Sequence, residues 1–454
     1  MVQRNYLSGI YKTIKGGRHT SAILKIPRNI TTKQRNMNIK NSLIASALMA
    51  MACISCKNDK TENWMDHSVD VASQQLLATA EKMDGTGVLP RSIWTVYPLD
   101  FVERQTERDR KTFADSLVLP ADSLVNKMHT INIYDWTSGF FPGSLWYAYE
   151  LTGNEDLRKY AASYTNMLAP LRNFKRTHDI GFMVNCSFGN ALRLAPNDTI
   201  QPILVSTADN LCSRFDERIG CIRSWDFGRW NFPVIIDNMM NLDLLFNAWH
   251  LTGNKKYYDI AIKHAETTMK HHFRKDFTSF HVVSYNNDGT VEEQCTHQGK
   301  NDASAWARGQ AWAVYGYTRC YRESKDKKFL DQAINVANMI MSRVKTEDCI
   351  PYWDYDAPVT DETPRDASAA AVTASAFLEL CSYAPDGKKY SDYAEKILRS
   401  LSSESYLAKP GENMGFVLMH STGSLPNDSE IDTPLNYADY YYLEALVRYK
   451  ELKK

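Results

Sequence analysis

An all-α fold, helical hairpins closed into an α/α toroid, is the architecture that the 454-residue sequence predicts. Three observations point to it. Apolar residues recur at helical spacing from about Val69 onward, strand-like alternation is scarce, and one helix–turn–helix punctuation recurs along the chain. The punctuation is clearest as Leu151-Thr152-Gly153-Asn154 before Leu157 and Ala161, and as Leu251-Thr252-Gly253-Asn254 before Tyr257 and Ala261. Gly there closes a helix in the left-handed conformation, and Asn caps the next helix. Weaker copies are Ser324-Lys325-Asp326 before Phe329 and Ala333, and Pro385-Asp386-Gly387 before Tyr390 and Ala394. The copies lie 100, 72 and 61 residues apart, which suits hairpins separated by long loops. A two-layer helical solenoid is the competing arrangement.

The amino terminus reads as an address. Residues 1–36 hold eight Lys or Arg and no acid, so the remainder carries −8 although the whole chain is formally neutral. That acidic body argues against a nucleic-acid-binding surface. Met37 to Asn41, the apolar run Ser42 to Ala52 and then Cys53-Ile54-Ser55-Cys56 have the layout of a secretory signal. The run is too short to span a bilayer, and its end resembles a bacterial lipobox with Cys56 as the lipidated residue. The expected product is a periplasmic or membrane-anchored lipoprotein exported from a bacterial cytoplasm. Residues 1–36 then read as an over-called start or basic extension, 37–55 as the signal, 56–68 as a tether and 69–454 as the catalytic domain.

In the body, Val69, Leu76, Leu77 and Ala80 mark the first helical face. The cysteines beyond Cys56 are scattered and odd in number, which suits small buried apolar residues better than a disulfide framework. Five long loops, Asp135 to Gly143, Thr177 to Asn185, Trp225 to Asn241, Phe280 to Ala311 and Met419 to Asp432, are rich in aromatic and polar residues. Functional groups concentrate on such loops when a rigid scaffold holds them. No phosphate-binding Gly loop, serine-hydrolase elbow or His-Glu-x-x-His helix occurs, and the His spacing supplies no metal cluster. No cofactor is expected.

Two carboxylates stand out. Asp179 lies in His178-Asp179-Ile180-Gly181-Phe182, and Asp237 lies within the apolar run Pro233 to Met240. An apolar neighbourhood disfavours ionisation and so favours a proton donor near neutrality. Helix capping is the competing reading for both. Trp306, Arg308 and Trp312 fall within seven positions, with Arg308 and Trp312 on one helical face. A guanidinium forks onto a carboxylate and an indole covers a pyranose face. A buried ion pair beside core tryptophans would use the same residues.

With these stretches assembled, the chain resembles the unsaturated glucuronyl hydrolases, glycoside hydrolase family 88. The resemblance runs from about Asp135 to Lys450. It rests on Asp135-Trp136-Thr137-Ser138-Gly139-Phe140-Phe141-Pro142-Gly143, His178 to Phe182, Ile235-Ile236-Asp237-Asn238-Met239-Met240-Asn241, Thr296-His297-Gln298-Gly299, Trp306 to Trp312, and Asp439-Tyr440-Tyr441-Tyr442-Leu443-Glu444-Ala445. It implies an (α/α)6 barrel of six hairpins and a hydrolase acting on the Δ4,5-unsaturated uronic acid that polysaccharide lyases leave at non-reducing ends. It also implies Asp237 as general acid/base, Asp179 as the second essential carboxylate, and Trp136, His178, His281, Gln298, Arg308 and Trp312 around the substrate. Relatives that prefer sulfated fragments carry a Ser-x-x-Ser-x-Lys pattern. Here Ser421 and Ser424 keep both hydroxyls, but Pro426 stands where Lys would be. An unsaturated rhamnogalacturonyl hydrolase and a non-catalytic glycan-binding lipoprotein are the alternative readings.

Overall fold

A computed structural model of the chain describes residues 64–94 and 126–454, all within one unit, Asn63–Lys454. The signal, Cys56 and most of the expected tether lie outside the described residues. Twelve helices dominate the described part. We number them α1 (64–83), α2 (Phe140–Thr152), α3 (Glu155–Met167), α4, α5 (Ile200–Cys212), α6 (Asn238–Thr252), α7 (Lys255–His271), α8 (Ala307–Ser324), α9 (Lys327–Arg343), α10 (Ala367–Leu380), α11 (Gly387–Leu401) and α12 (Asn436–Leu452). Helix α4 is continuous but contains a π-helical turn, running Ile180–Val184, Asn185–Gly189 and Asn190–Leu194.

The even-numbered helices form an inner ring. Contacts run from α2 to α4, α6, α8, α10 and α12 and back to α2, so the ring closes. Inner helices are buried nearly all round: in α10 every residue except Glu379 is buried. Outer helices bury one stripe, as in α11 with Tyr390, Ala394, Ile397, Leu398 and Leu401. A helix with neighbours on all sides has no polar face, and one on the rim needs a single apolar stripe. The result is the predicted α/α toroid of six hairpins, with α1 packed outside α12 through Trp64 on Tyr449, 5.6 Å between ring centroids.

The hairpin punctuation works as its residue types require. Gly153 and Gly253 adopt φ of 71° and 69°, and the side chains of Asn154 and Asn254 accept from Asp156 N–H and Lys256 N–H. Lys325, not Gly, takes the left-handed position before α9, at φ 57°, and Asp326 supplies that cap. The last copy differs. Asp386 makes no side-chain cap, and Gly387 is needed for space: a Cβ there would lie 2.0 Å from the Cys381 carbonyl oxygen. The Leu or aromatic residue and Ala that follow each copy are all buried.

The first helix begins at residue 64, inside the segment 56–68 expected to be a tether. Trp64 and Ser68 explain the earlier start: Trp64 packs on Tyr449, and the Ser68 hydroxyl donates to the Trp64 carbonyl at 2.7 Å. Short strands decorate one mouth of the toroid. Strands β1 (Leu89–Ile93) and β2 (Met128–Ile131) form a hairpin, β3 (Phe215–Asp216) pairs with β4 (Cys221–Ile222), and β5 (Pro233–Ile235), β6 (Val282–Tyr285) and β7 (Val291–Cys295) form an antiparallel sheet. The seven described cysteines are free, all but Cys381 buried.

Candidate active site

A cavity of about 760 Å³ opens at the mouth where inner helices begin. That volume lies within the range of small-molecule sites, about 300–1,000 Å³. Each of the five long loops contributes to its wall: Trp136, Thr177 and Asp179, Trp225 to Phe227 with Asp237, Gln298 with Arg308, and Gly423 to Glu430. Asp179 precedes α4, Asp237 precedes α6, Arg308 opens α8 and Tyr437 opens α12. Helix N-termini carry partial positive charge, so this mouth favours an anionic ligand despite its acidic side chains.

The β5–β6–β7 sheet assembles the floor. Ile235 pairs with Val282, and Val282 with Cys295. The residues just beyond these pairs are Asp237, His281 and the His297–Gln298 turn. Asp237 and Asp179 both occupy N-cap positions, yet neither side chain makes a capping hydrogen bond. Asp237 is 8% exposed; its Oδ2 is buried and approaches His281 Nε2 at 3.5 Å. His281 Nδ1 accepts from the backbone N–H groups of His297 and Gln298, each at 3.1 Å. An imidazole nitrogen accepting two N–H groups carries no proton, so the neutral ring bears its hydrogen on Nε2, facing Asp237.

Asp179 accepts from Thr177 Oγ1 at 2.7 Å and lies 3.2 Å from His178 Nε2. Burial raises its pKa, the Asp237 charge adds to that, and His178 and the Thr177 hydroxyl pull the other way. Burial also lowers the pKa of His178, keeping that ring neutral, and pushes His297 down to about 3. Among the described residues, buried polar atoms without hydrogen-bond partners gather here: Asp237 Oδ2, His281 Nε2 and the Tyr437 hydroxyl. Such atoms are rare in folded proteins, and a cluster of them beside a cavity marks a place for a polar ligand.

Other expected residues are placed differently. Arg308 is 1% exposed and paired with Asp366 at 2.7 Å; it also donates to the carbonyls of Thr422 and Gly423 and stacks over Trp306. Of the two readings open for Arg308, the geometry is that of the buried ion pair, because Asp366 and the 422–423 carbonyls occupy its fork. Trp312 is fully buried against Phe182 and Tyr441 and does not reach the cavity, so the expectation of an indole face for sugar is corrected there. Trp136 does line the cavity, beside Tyr437 at 5.1 Å between centroids. Gln298 lines it while its amide donates to the Gly423 carbonyl. Ser424 lines it; Ser421 is fully buried behind it.

Sequence reasoning missed the β1–β2 hairpin and Arg176. Arg91 binds Glu430 through Nε at 2.6 Å and Asp135 through Nη1 at 2.7 Å, fastening the hairpin to the Met419–Asp432 loop. Burial opposes ionisation of Glu430, yet Arg91 holds its carboxyl well below the usual range. Trp94 stacks on His129, 3.9 Å between centroids, and both line the cavity. Only the pairing of strands far apart in sequence brings these residues to the site, and no local pattern announces it.

Residues 208–451 match the profile of Glycosyl Hydrolase Family 88, and residues 37–108 that of a domain of unknown function. An unsaturated glucuronyl hydrolase of Formosa agariphila is 46% identical over 330 residues, 72% of this chain and 82% of that one. An unsaturated chondroitin disaccharide hydrolase of Streptococcus pneumoniae is 33% identical over 77% of this chain and 90% of its own. Among solved structures, an unsaturated glucuronyl hydrolase specific for heparin superposes with a TM-score of 0.78 at 47% identity, covering 86% of this chain and 98% of that chain. The toroid, the motifs in order and these similarities agree: the chain belongs to Glycosyl Hydrolase Family 88.

Proposed function

We propose that Asp237 is the general acid/base with which this hydrolase removes the Δ4,5-unsaturated uronic acid from lyase-generated oligosaccharides. The observation that carries the assignment is the placement of its carboxyl group. It sits at a helix N-terminus without capping that helix, at the floor of the cavity, with Oδ2 turned to the His281 N–H. Oδ1 is then the oxygen free to face substrate.

The substrate is an enol ether, so its C4 accepts a proton while the ring oxygen stabilises positive charge at C5. Protonated Asp237 donates that proton from Oδ1. His281 Nε2–H supports the carboxylate left behind, and because its Nδ1 is committed to two backbone N–H groups the ring does not remove the proton itself. Asp237 then takes a proton from water adding at C5. The hemiketal so formed opens to a C5 ketone, the freed ring oxygen becomes a hydroxyl at C1, and that hemiacetal releases the attached sugar as an alcohol. No nucleophile attacks the anomeric carbon, so the carboxylate spacing of retaining and inverting enzymes does not govern the outcome. Asp179, its pKa raised by burial, holds sugar hydroxyls, and the Trp136 ring supplies a stacking face. Arg308, itself part of the wall, holds the 422–423 carbonyls and so the loop that bears Ser424.

Ultraviolet absorbance tests the activity: hydration removes the conjugated enol carboxylate, whereas binding alone preserves it. Loss of absorbance on a panel of lyase-made disaccharides supports the reading; unchanged absorbance with measurable binding would instead make the chain a glycan-binding protein. We also propose export with lipidation at Cys56, checked by mass spectrometry of the membrane fraction. Among the described residues no helix is long and apolar enough to cross a membrane.

A further inference from the structure

Among the described residues three arginines line the cavity, and two of them are committed. Arg91 is held by Asp135 and Glu430, and Arg308 by Asp366. Arg176 is exposed, and among the described residues no carboxylate lies within ion-pair distance of it. Its acidic neighbour Asp226 is already satisfied, accepting from Arg214 through both oxygens at 3.0 Å and approaching Arg223 at 3.4 Å. The same Arg214 donates to the Lys175 carbonyl at 3.0 Å, and His178 N–H donates to the Ser224 carbonyl at 3.1 Å. These bonds hold the 175–178 and 224–226 segments side by side, and Arg176 and Phe227 line the same cavity.

Phe227 is 57% exposed, yet it lines the cavity and stacks on Trp225 at 4.9 Å and 26°. A large apolar ring left in water at a cavity rim, backed by a second ring, is a platform for the face of a sugar. Asp237, by contrast, is on the floor. The ring that reacts with Asp237 therefore sits inward of Phe227, and the rim is where the sugar attached to it emerges. The other rim loop, Gly423 to Glu430, offers Asp428, with no ion pair among the described residues, and Glu430 bound to Arg91. An anionic substituent there meets acid; beside Arg176 it meets a guanidinium with no ion pair among the described residues, whose fork matches an oxyanion.

Resting on the proposed activity, we infer that Arg176 and Phe227 form an outer subsite for an oxyanion-bearing sugar, one with a sulfate ester or a carboxylate, joined to the unsaturated uronate. The subsite would give the enzyme a preference among lyase products independent of the Ser421–Ser424 loop.

The test compares three disaccharides with the same unsaturated uronate and a second sugar that is neutral, sulfated or carboxylated. Arg176→Gln is expected to lower kcat/KM about tenfold on the sulfated substrate, the carboxylated one, or both, and to stay within about twofold on the neutral one. The substrate that responds identifies the oxyanion. Phe227→Ala is expected to raise KM severalfold on all three with kcat unchanged. An equal Arg176→Gln loss on all three would overturn the subsite, because the guanidinium would then serve the uronate carboxylate they share; so would no loss on any. If the unsubstituted chain turns over none of the three, the activity itself fails, and the subsite with it.

Discussion

His281 Nε2 faces Asp237 Oδ2 because two backbone N–H groups occupy its other nitrogen. That geometry predicts a split in kinetics. His281→Leu should reduce kcat about tenfold or more while leaving KM within about twofold, since the ring supports the carboxylate rather than the substrate. A KM increase with unchanged kcat would make His281 a substrate contact instead. Asp237 was legible in the sequence as a lone carboxylate in an apolar run, whereas His281 and Gln298 entered only through the family resemblance. His281, His297 and Gln298 reach it through strand pairing across more than forty residues, and single-sequence periodicity does not encode that pairing. Trp312 shows the opposite failure. Its spacing from Arg308 placed both on one helical face correctly, but that face is turned into the protein, where Trp312 packs on Phe182.

At the scale of elements, the Arg308–Asp366 pair joins α8 to the start of α10, where Asp366 also caps the helix through Ser368 and Ala369 N–H. Both side chains are buried, so removing one leaves an uncompensated charge. Arg308→Ala should destabilise folding by about 3–5 kcal/mol, read by denaturant titration; a loss under about 1 kcal/mol would contradict the assignment. In α12, burial pushes the Asp439 carboxyl up to about 7, although it accepts from Val417 and Leu418 N–H. The folded chain thus holds a proton that the unfolded chain releases near pH 4, the usual carboxylate value. Through that interval folding takes up a proton, so this group's contribution to stability falls as pH rises toward about 7. Asp439→Asn should flatten the decline in Tm between pH 5 and pH 8, and an unchanged slope would exclude Asp439 as its source. The helices were legible because their caps and apolar stripes are local. The short strands were not, since two to five residues in a mostly helical chain carry too little alternation to register.

Across the whole molecule, six inner helices surround one axis, and several send their N-termini to the mouth that holds Asp179 and Asp237. Ring closure was predictable from hairpins that each leave an apolar face to bury. The number six came from resemblance, because α1 and α5 lack any copy of the punctuation that precedes α3, α7, α9 and α11. The toroid explains why loops far apart in sequence converge: the loops before α2, α4, α6, α8 and α12 all contribute to one cavity. Proton transfer from Asp237 at that cavity is the central step of the proposed reaction. The most direct measurement is the decay of ultraviolet absorbance of an unsaturated disaccharide with the native chain and with Asp237→Asn, beside a binding titration of the variant. The variant is expected to bind within a few fold of the native chain but to turn over at least about 100-fold more slowly. Near-native turnover by Asp237→Asn would contradict that step.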